Sequence, residues 1–151
     1  MMFRFRLAKV LRWRERRVDE EARAMRAAAE ALRRARRDRV RLETELERLA
    51  RDGERLRRQG GDVAQWRLLA TWLTAQTDRL RALQVREREV AAALGAQRQR
   101  LLLAHREKEV LVRLEERQRQ VWDDEERRRE RRELDDLGGR RHARIDRGSP
   151  L

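Results

Sequence analysis

A chain of 151 residues that is 46% charged and only 4% aromatic cannot close a globular core of ordinary size. With cysteine absent, disulfides and thiolate metal sites are excluded. The net charge of +13 points to acidic partners, whether a protein surface, an anionic lipid or a nucleic acid, and does not choose among them. Ala, Arg, Leu, Glu and Gln dominate and all favour helix, so long helices burying a narrow stripe are expected rather than disorder.

The first predicted element is a helix over about 4–59. Leu11, Val18, Met25, Leu32, Arg39, Leu46 and Gly53 recur every seven residues. Leu7, Arg14, Glu21, Ala28, Ala35, Leu42, Leu49 and Leu56 alternate with them at spacings of 3 and 4, which is a heptad seam. Ala28 and Ala35 allow a partner helix close approach. The helix start is apolar on several sides, with Phe3, Phe5, Val10 and Trp13 off the seam and Leu7 and Leu11 on it. Arginines and Lys9 stand between them. This suits a plug entering an apolar socket on a partner. The plainer alternative is packing against the far end of the chain near Trp122.

Gly60-Gly61-Asp62 predicts a hinge at about 60–62, with a glycine stop and an aspartate N-cap for the next helix. The second helix is expected over about 62–137. Trp66, Leu73, Leu80, Glu87, Leu94, Leu101 and Lys108 form one line of its seam, and Leu69, Gln76, Leu83, Val90, Gln97, Ala104 and Leu111 the other. Beyond Leu111 the best apolar register slips to Leu114 and Val121, then fades. Just past the hinge, Asp62 to Thr77 holds only Asp62 and Arg67 as charges. There Leu68 and Trp72 lie off the seam at i, i+4. With Trp66, Leu69 and Gln76 they form a candidate contact patch, unless the hairpin end curls over it.

A short connection between heptad helices implies an antiparallel hairpin. The fold class is thus all-α, a long two-helix coiled-coil hairpin over 1–137 with a C-terminal helical overhang. Helices of ~80 Å and ~110 Å follow from a rise of 1.5 Å per residue. Folding back at the glycines sets Leu7 level with Leu114 and leaves the last twenty or so residues of helix two without a partner. Gly138-Gly139 is expected to end that helix, leaving 138–151 as a flexible basic tail. Charged and polar seam residues (Arg14, Glu21, Arg39, Glu87, Gln97, Lys108) should weaken the pairing and fix its register.

The overhang carries Arg127-Arg128-Arg129-Glu130-Arg131-Arg132. This is a solvated face or a docking surface for an acidic partner. Interleaved Asp and Glu disfavour nucleic acid. His105 and His142 have no nucleophile or metal partner in view, and no glycine-rich phosphate loop exists. Enzymatic activity, a cofactor, a metal and a small-molecule substrate are therefore not expected.

Both ends resemble the flagellar export family FliJ and its injectisome relative YscO. The carriers are Phe3-Arg4-Phe5-Arg6-Leu7-Ala8-Lys9-Val10-Leu11, then Lys108-Glu109-Val110-Leu111 with Leu114-Glu115-Glu116-Arg117, then Trp122 and Leu134-Asp135-Asp136. Asp136 replaces the family's usual Glu. The resemblance implies a component of the bacterial type III export apparatus, serving flagellum biogenesis, motility and chemotaxis. It would sit in the cytoplasm, peripheral at the inner membrane. Its paired termini would enter the export ATPase (FliI-like) ring and promote assembly and ATP hydrolysis, while the other end reaches the export gate (FlhA-like) and export chaperones. Ring contact would fall to Phe3, Phe5, Leu7, Val10, Leu11, Trp13, Trp122, Arg128, Arg131 and Leu134. Gate or chaperone contact would fall to Trp66, Leu68, Leu69, Trp72 and Gln76. The alternatives are an injectisome stalk protein, a basic structural or nucleic-acid-binding coiled coil, and an amphipathic membrane-surface protein.

Overall fold

The computed structural model describes residues 1–148 and contains two helices, α1 (Ala8–Arg58) and α2 (Val63–Asp146), with no strand among the described residues. The chain divides into two compact units. One joins Met1–Arg16 to His105–Leu151, and the other is Arg17–Ala104.

The connection between the helices is dictated by its glycines. Gly60 adopts φ +73°, a conformation that glycine alone takes without a Cβ penalty. The Gly60 N–H donates to the Arg57 carbonyl at 3.3 Å and the Gly61 N–H to the Leu56 carbonyl at 3.2 Å, closing α1 in a Schellman motif. Arg55, Arg57 and Arg58 in the last turn complement the negative end of the helix dipole. Asp62 then caps α2: its Oδ1 accepts the Ala64 N–H at 3.4 Å, and its carbonyl accepts the Trp66 N–H at 3.2 Å.

In the Arg17–Ala104 unit the helices run antiparallel. Glu21 meets Gln97, Arg39 meets Glu87, and a Cβ on Gly53 would lie 3.2 Å from Leu69. The centre is Leu32, Val90 and Leu94, with Met25, Ala28, Ala29 and Ala31 packed on it. Every seam position expected here is buried or half-buried. Glu21, Arg39, Glu87 and Gln97 find partners. Gln97 Nε2 donates to the Glu21 carbonyl at 3.2 Å and to its carboxylate. Arg39 donates to both Glu87 and Glu43. Unpaired, these groups would lose hydration without compensation, so a slipped register is disfavoured.

The Arg39–Glu87 pair should make the unit acid-sensitive. The Arg39 guanidinium, hydrogen-bonded to Glu87, holds its carboxyl below the ordinary value of 4.5. A depressed folded pKa means stabilisation that is fully present above pH 4.5 and lost as pH falls through the folded value. The thermal midpoint should therefore drop below pH 4.5 by more in the wild type than in Glu87→Gln. Parallel midpoint–pH curves for the two proteins would contradict this.

In the unit holding both chain ends, pairing is again antiparallel. Phe3 meets Trp122 and Arg14 meets Glu107, which brackets the expected level of Leu7 with Leu114. Three expectations need correction here. First, α1 begins at Ala8 rather than near residue 4. Residues 3–7 offer no capping side chain, and an extended run lets Phe3 and Phe5 face inward together while Arg4 and Arg6 stay exposed. Second, the seam does not slip to Val121, which is exposed. It continues through Glu115 to Trp122, seven and fourteen residues beyond Lys108, and both are half-buried. Third, α2 does not stop at Gly138-Gly139 but runs to Asp146. Neither glycine takes a positive φ, so each is an ordinary helical residue at a cost of ~1 kcal/mol relative to Ala. Residues 138–146 of the expected tail are therefore helical, and 149–151 lie outside the described residues.

Candidate protein-docking surfaces

The Phe-Arg-Phe-Arg start packs onto α2 through Phe3, and Phe5 is buried. The Phe3 and Trp122 rings lie 6.2 Å apart at 55°, a tilted aromatic pair. The Arg119 guanidinium sits 5.3 Å from the Phe3 ring centre. Phe5 is only 8% exposed, and its carbonyl accepts the Ala8 N–H at 3.2 Å, anchoring the helix start. Leu11 is buried and Leu7 half-buried. These four apolar side chains are thus largely spent within the chain, as in the plainer of the two sequence readings.

Two other residues of the same segment face outward. Val10 and Trp13 are exposed, Trp13 at 47%, with the Arg14 guanidinium 4.8 Å from the indole centre. Elsewhere on this unit a shallow groove runs over Phe3, Val121 and Trp122 between Arg117 and Glu125. The unit therefore offers exposed indole and aliphatic surface set among arginines, in which aromatic anchors and Arg are the residue types that dominate binding energy. Arg128, Arg131 and Leu134 stand farther along α2, exposed and away from the Phe3–Trp122 contact.

The second surface lies past the hinge, at the start of α2. Trp66, Leu69 and Gln76 are half-buried on the seam. Leu68 is 74% and Trp72 37% exposed, one turn apart on the outside of the helix. No segment among the described residues curls over them. Thr71, Thr74 and Thr77 return their hydroxyls to carbonyls four residues back, so this stretch has few side-chain groups left for water. Exposed Leu and Trp in a stretch almost free of charge make this a candidate contact patch.

Heptad counting leaves Phe5 and Trp122 off the seam, and only the plainer reading, packing of the chain start near Trp122, brings them together. Signals for the place of both exist: the two-residue Phe/Arg alternation, and the spacing of two heptads from Lys108 to Trp122. No group of His, Cys, Asp and Glu able to hold a metal occurs among the described residues, and no helix among them is long and apolar enough to cross a membrane.

No curated protein and no solved structure matches the chain. A family model described as "Flagellar FliJ protein" matches residues 2–147, nearly the whole length. Two heptad helices joined by a capped glycine hinge, with apolar and basic residues together at both chain ends, agree with that match, and the chain belongs to the flagellar FliJ family.

Proposed function

We propose that this flagellar export-related protein acts as a stalk for the export ATPase. The unit carrying both chain ends enters the ATPase ring, promotes ring assembly and accelerates hydrolysis that the ATPase itself performs. The observation that carries the reading is the exposure of Val10 and Trp13 among arginines, on a terminus held to α2 by the Phe3–Trp122 contact and with Phe5 and Leu11 buried. A pre-ordered anchor binds without first having to fold, which lowers the entropic cost of docking. Arg128, Arg131 and Leu134 add a basic edge suited to an acidic rim. The chain supplies no catalytic group of its own in this role. The cognate ATPase should co-elute with the chain in gel filtration, and separate elution of two folded proteins would contradict the proposal.

The patch past the hinge is assigned to the export gate or to export chaperones, with Leu68 and Trp72 as anchors and Trp66, Leu69 and Gln76 as their support. Truncating an exposed aromatic anchor commonly costs about 2 kcal/mol of binding, or roughly thirtyfold. Trp72→Ala should weaken gate binding by that factor and leave ATPase stimulation unchanged. Unaltered gate affinity, measured by calorimetry, would remove the assignment. An injectisome stalk is the nearest alternative, but the match to the flagellar family favours the flagellar system.

A further inference from the structure

The C-terminal end of α2 has no partner helix, and its side chains are sorted by face. At 100° per residue, Leu134, Leu137, Arg140, Arg141, Arg144 and Ile145 fall within one half of the helix surface. Asp135, Asp136, His142 and Asp146 fall on the other half. Leu134, Leu137 and Ile145 are each about 60% exposed or more (67%, 59% and 66%). A shallow groove follows the same face, lined by Leu137, Arg140, Arg141, Ala143, Arg144 and Arg147. No carboxylate among the described residues pairs with Arg140, Arg141 or Arg144, whereas many arginines elsewhere on the helices are paired.

We infer that this segment, 134–147, is a docking surface for an anionic lipid membrane, lying in the headgroup plane. Charge and apolar surface coincide on one face, which is the arrangement an interfacial helix requires. Leu134, Leu137 and Ile145 reach the acyl boundary, while the long arginine stems carry their guanidinium groups back up to the lipid phosphates. Asp135 and Asp146 point away from that face, while Asp136 lies at its edge, 40° from Arg140 on the same wheel. A nucleic acid would use the arginines but leave the three aliphatic side chains in water. The segment also has no Phe, Trp or Tyr on which a base could stack. The membrane surface lies in the same unit as the proposed ring contacts and shares Leu134 with them, so membrane docking and ring entry by this end of α2 are alternative states of the chain.

The test is flotation of the full chain with vesicles of phosphatidylcholine containing about 30 mol% phosphatidylglycerol, against phosphatidylcholine alone. The chain should float with the anionic vesicles only. The triple variant Arg140→Gln, Arg141→Gln, Arg144→Gln should lose partitioning by about a hundredfold, on the usual contribution of each basic residue near such a surface. A charge-matched control, Arg86→Gln, Arg88→Gln, Arg98→Gln, should lose far less. Leu137→Gln with Ile145→Gln should lose at least about tenfold with charge unchanged. Equal loss in the two arginine triples, or no loss in the aliphatic pair, would overturn the inference and leave only non-specific polyelectrolyte attraction. Failure to bind anionic vesicles at all would overturn it outright. Circular dichroism of each variant checks that the helices persist.

Discussion

Trp13→Ala should lower the apparent affinity of the chain for its export ATPase by about thirtyfold, as read from the concentration needed for half-maximal stimulation. Helix content and thermal midpoint should stay at the wild-type values, because the Trp13 side chain is nearly half exposed and stacks only with the neighbouring Arg14. Phe5→Ala offers the contrast. Phe5 is buried within the chain, so its loss should release the start of α1 and reduce stability as well as stimulation. Greater protection loss in amide exchange over residues 1–16 would mark that release. If Trp13→Ala stimulates like the wild type, the exposed indole is not the anchor and the docking face lies elsewhere.

Leu94→Ala should destabilise the Arg17–Ala104 unit by about 3 kcal/mol, the usual cost of a leucine-sized cavity. Leu94 is 6% exposed and meets Leu32 and Val90 in the only buried apolar cluster of that unit among the described residues. A narrow two-helix interface has few other contacts with which to close such a hole. For a chain of this size the loss corresponds to a fall of about 10 °C in the thermal midpoint. Leu102→Ala, on the same helix but 49% exposed, should change stability by less than about 0.5 kcal/mol. Equal effects at the two positions would mean that the seam is not where the stability resides.

The heptad spacing located that seam because two helices pairing along their length must place every third and fourth residue inward. Leu11, Val18, Leu32, Leu42, Val90 and Leu94 are buried for that reason. The hinge was equally legible: Gly60 takes the left-handed conformation and Asp62 caps α2. The ends were less so, because helix-period reasoning was applied to residues that do not obey it. Phe3 and Phe5 are two apart and share a face only in extended chain, so counting by sevens put them off the seam and outside. Near the other end, a glutamate at position 115 interrupts the apolar pattern. Leu114 beside it is the more obvious core residue, which hid the line running to Trp122. Gly138-Gly139 reads as a stop because glycine is costly in helices, but two helical glycines cost only ~2 kcal/mol, within reach of the helix-forming residues on either side.

The contact surfaces were partly legible for a related reason. Exposure of Leu68 and Trp72 is the consequence of their off-seam register, and the structure leaves both uncovered. At the termini register alone could not separate Phe5, which turns inward, from Trp13, which does not. Only the path of the extended residues before Ala8 distinguishes them.

The stalk role is tested most directly by titrating the cognate export ATPase with this chain at moderate salt and measuring ATP hydrolysis. Stimulation should saturate at a single chain per ring and be lost with Trp13→Ala. A hydrolysis rate that does not change across the titration, with the chain soluble and helical throughout, would contradict the stalk role.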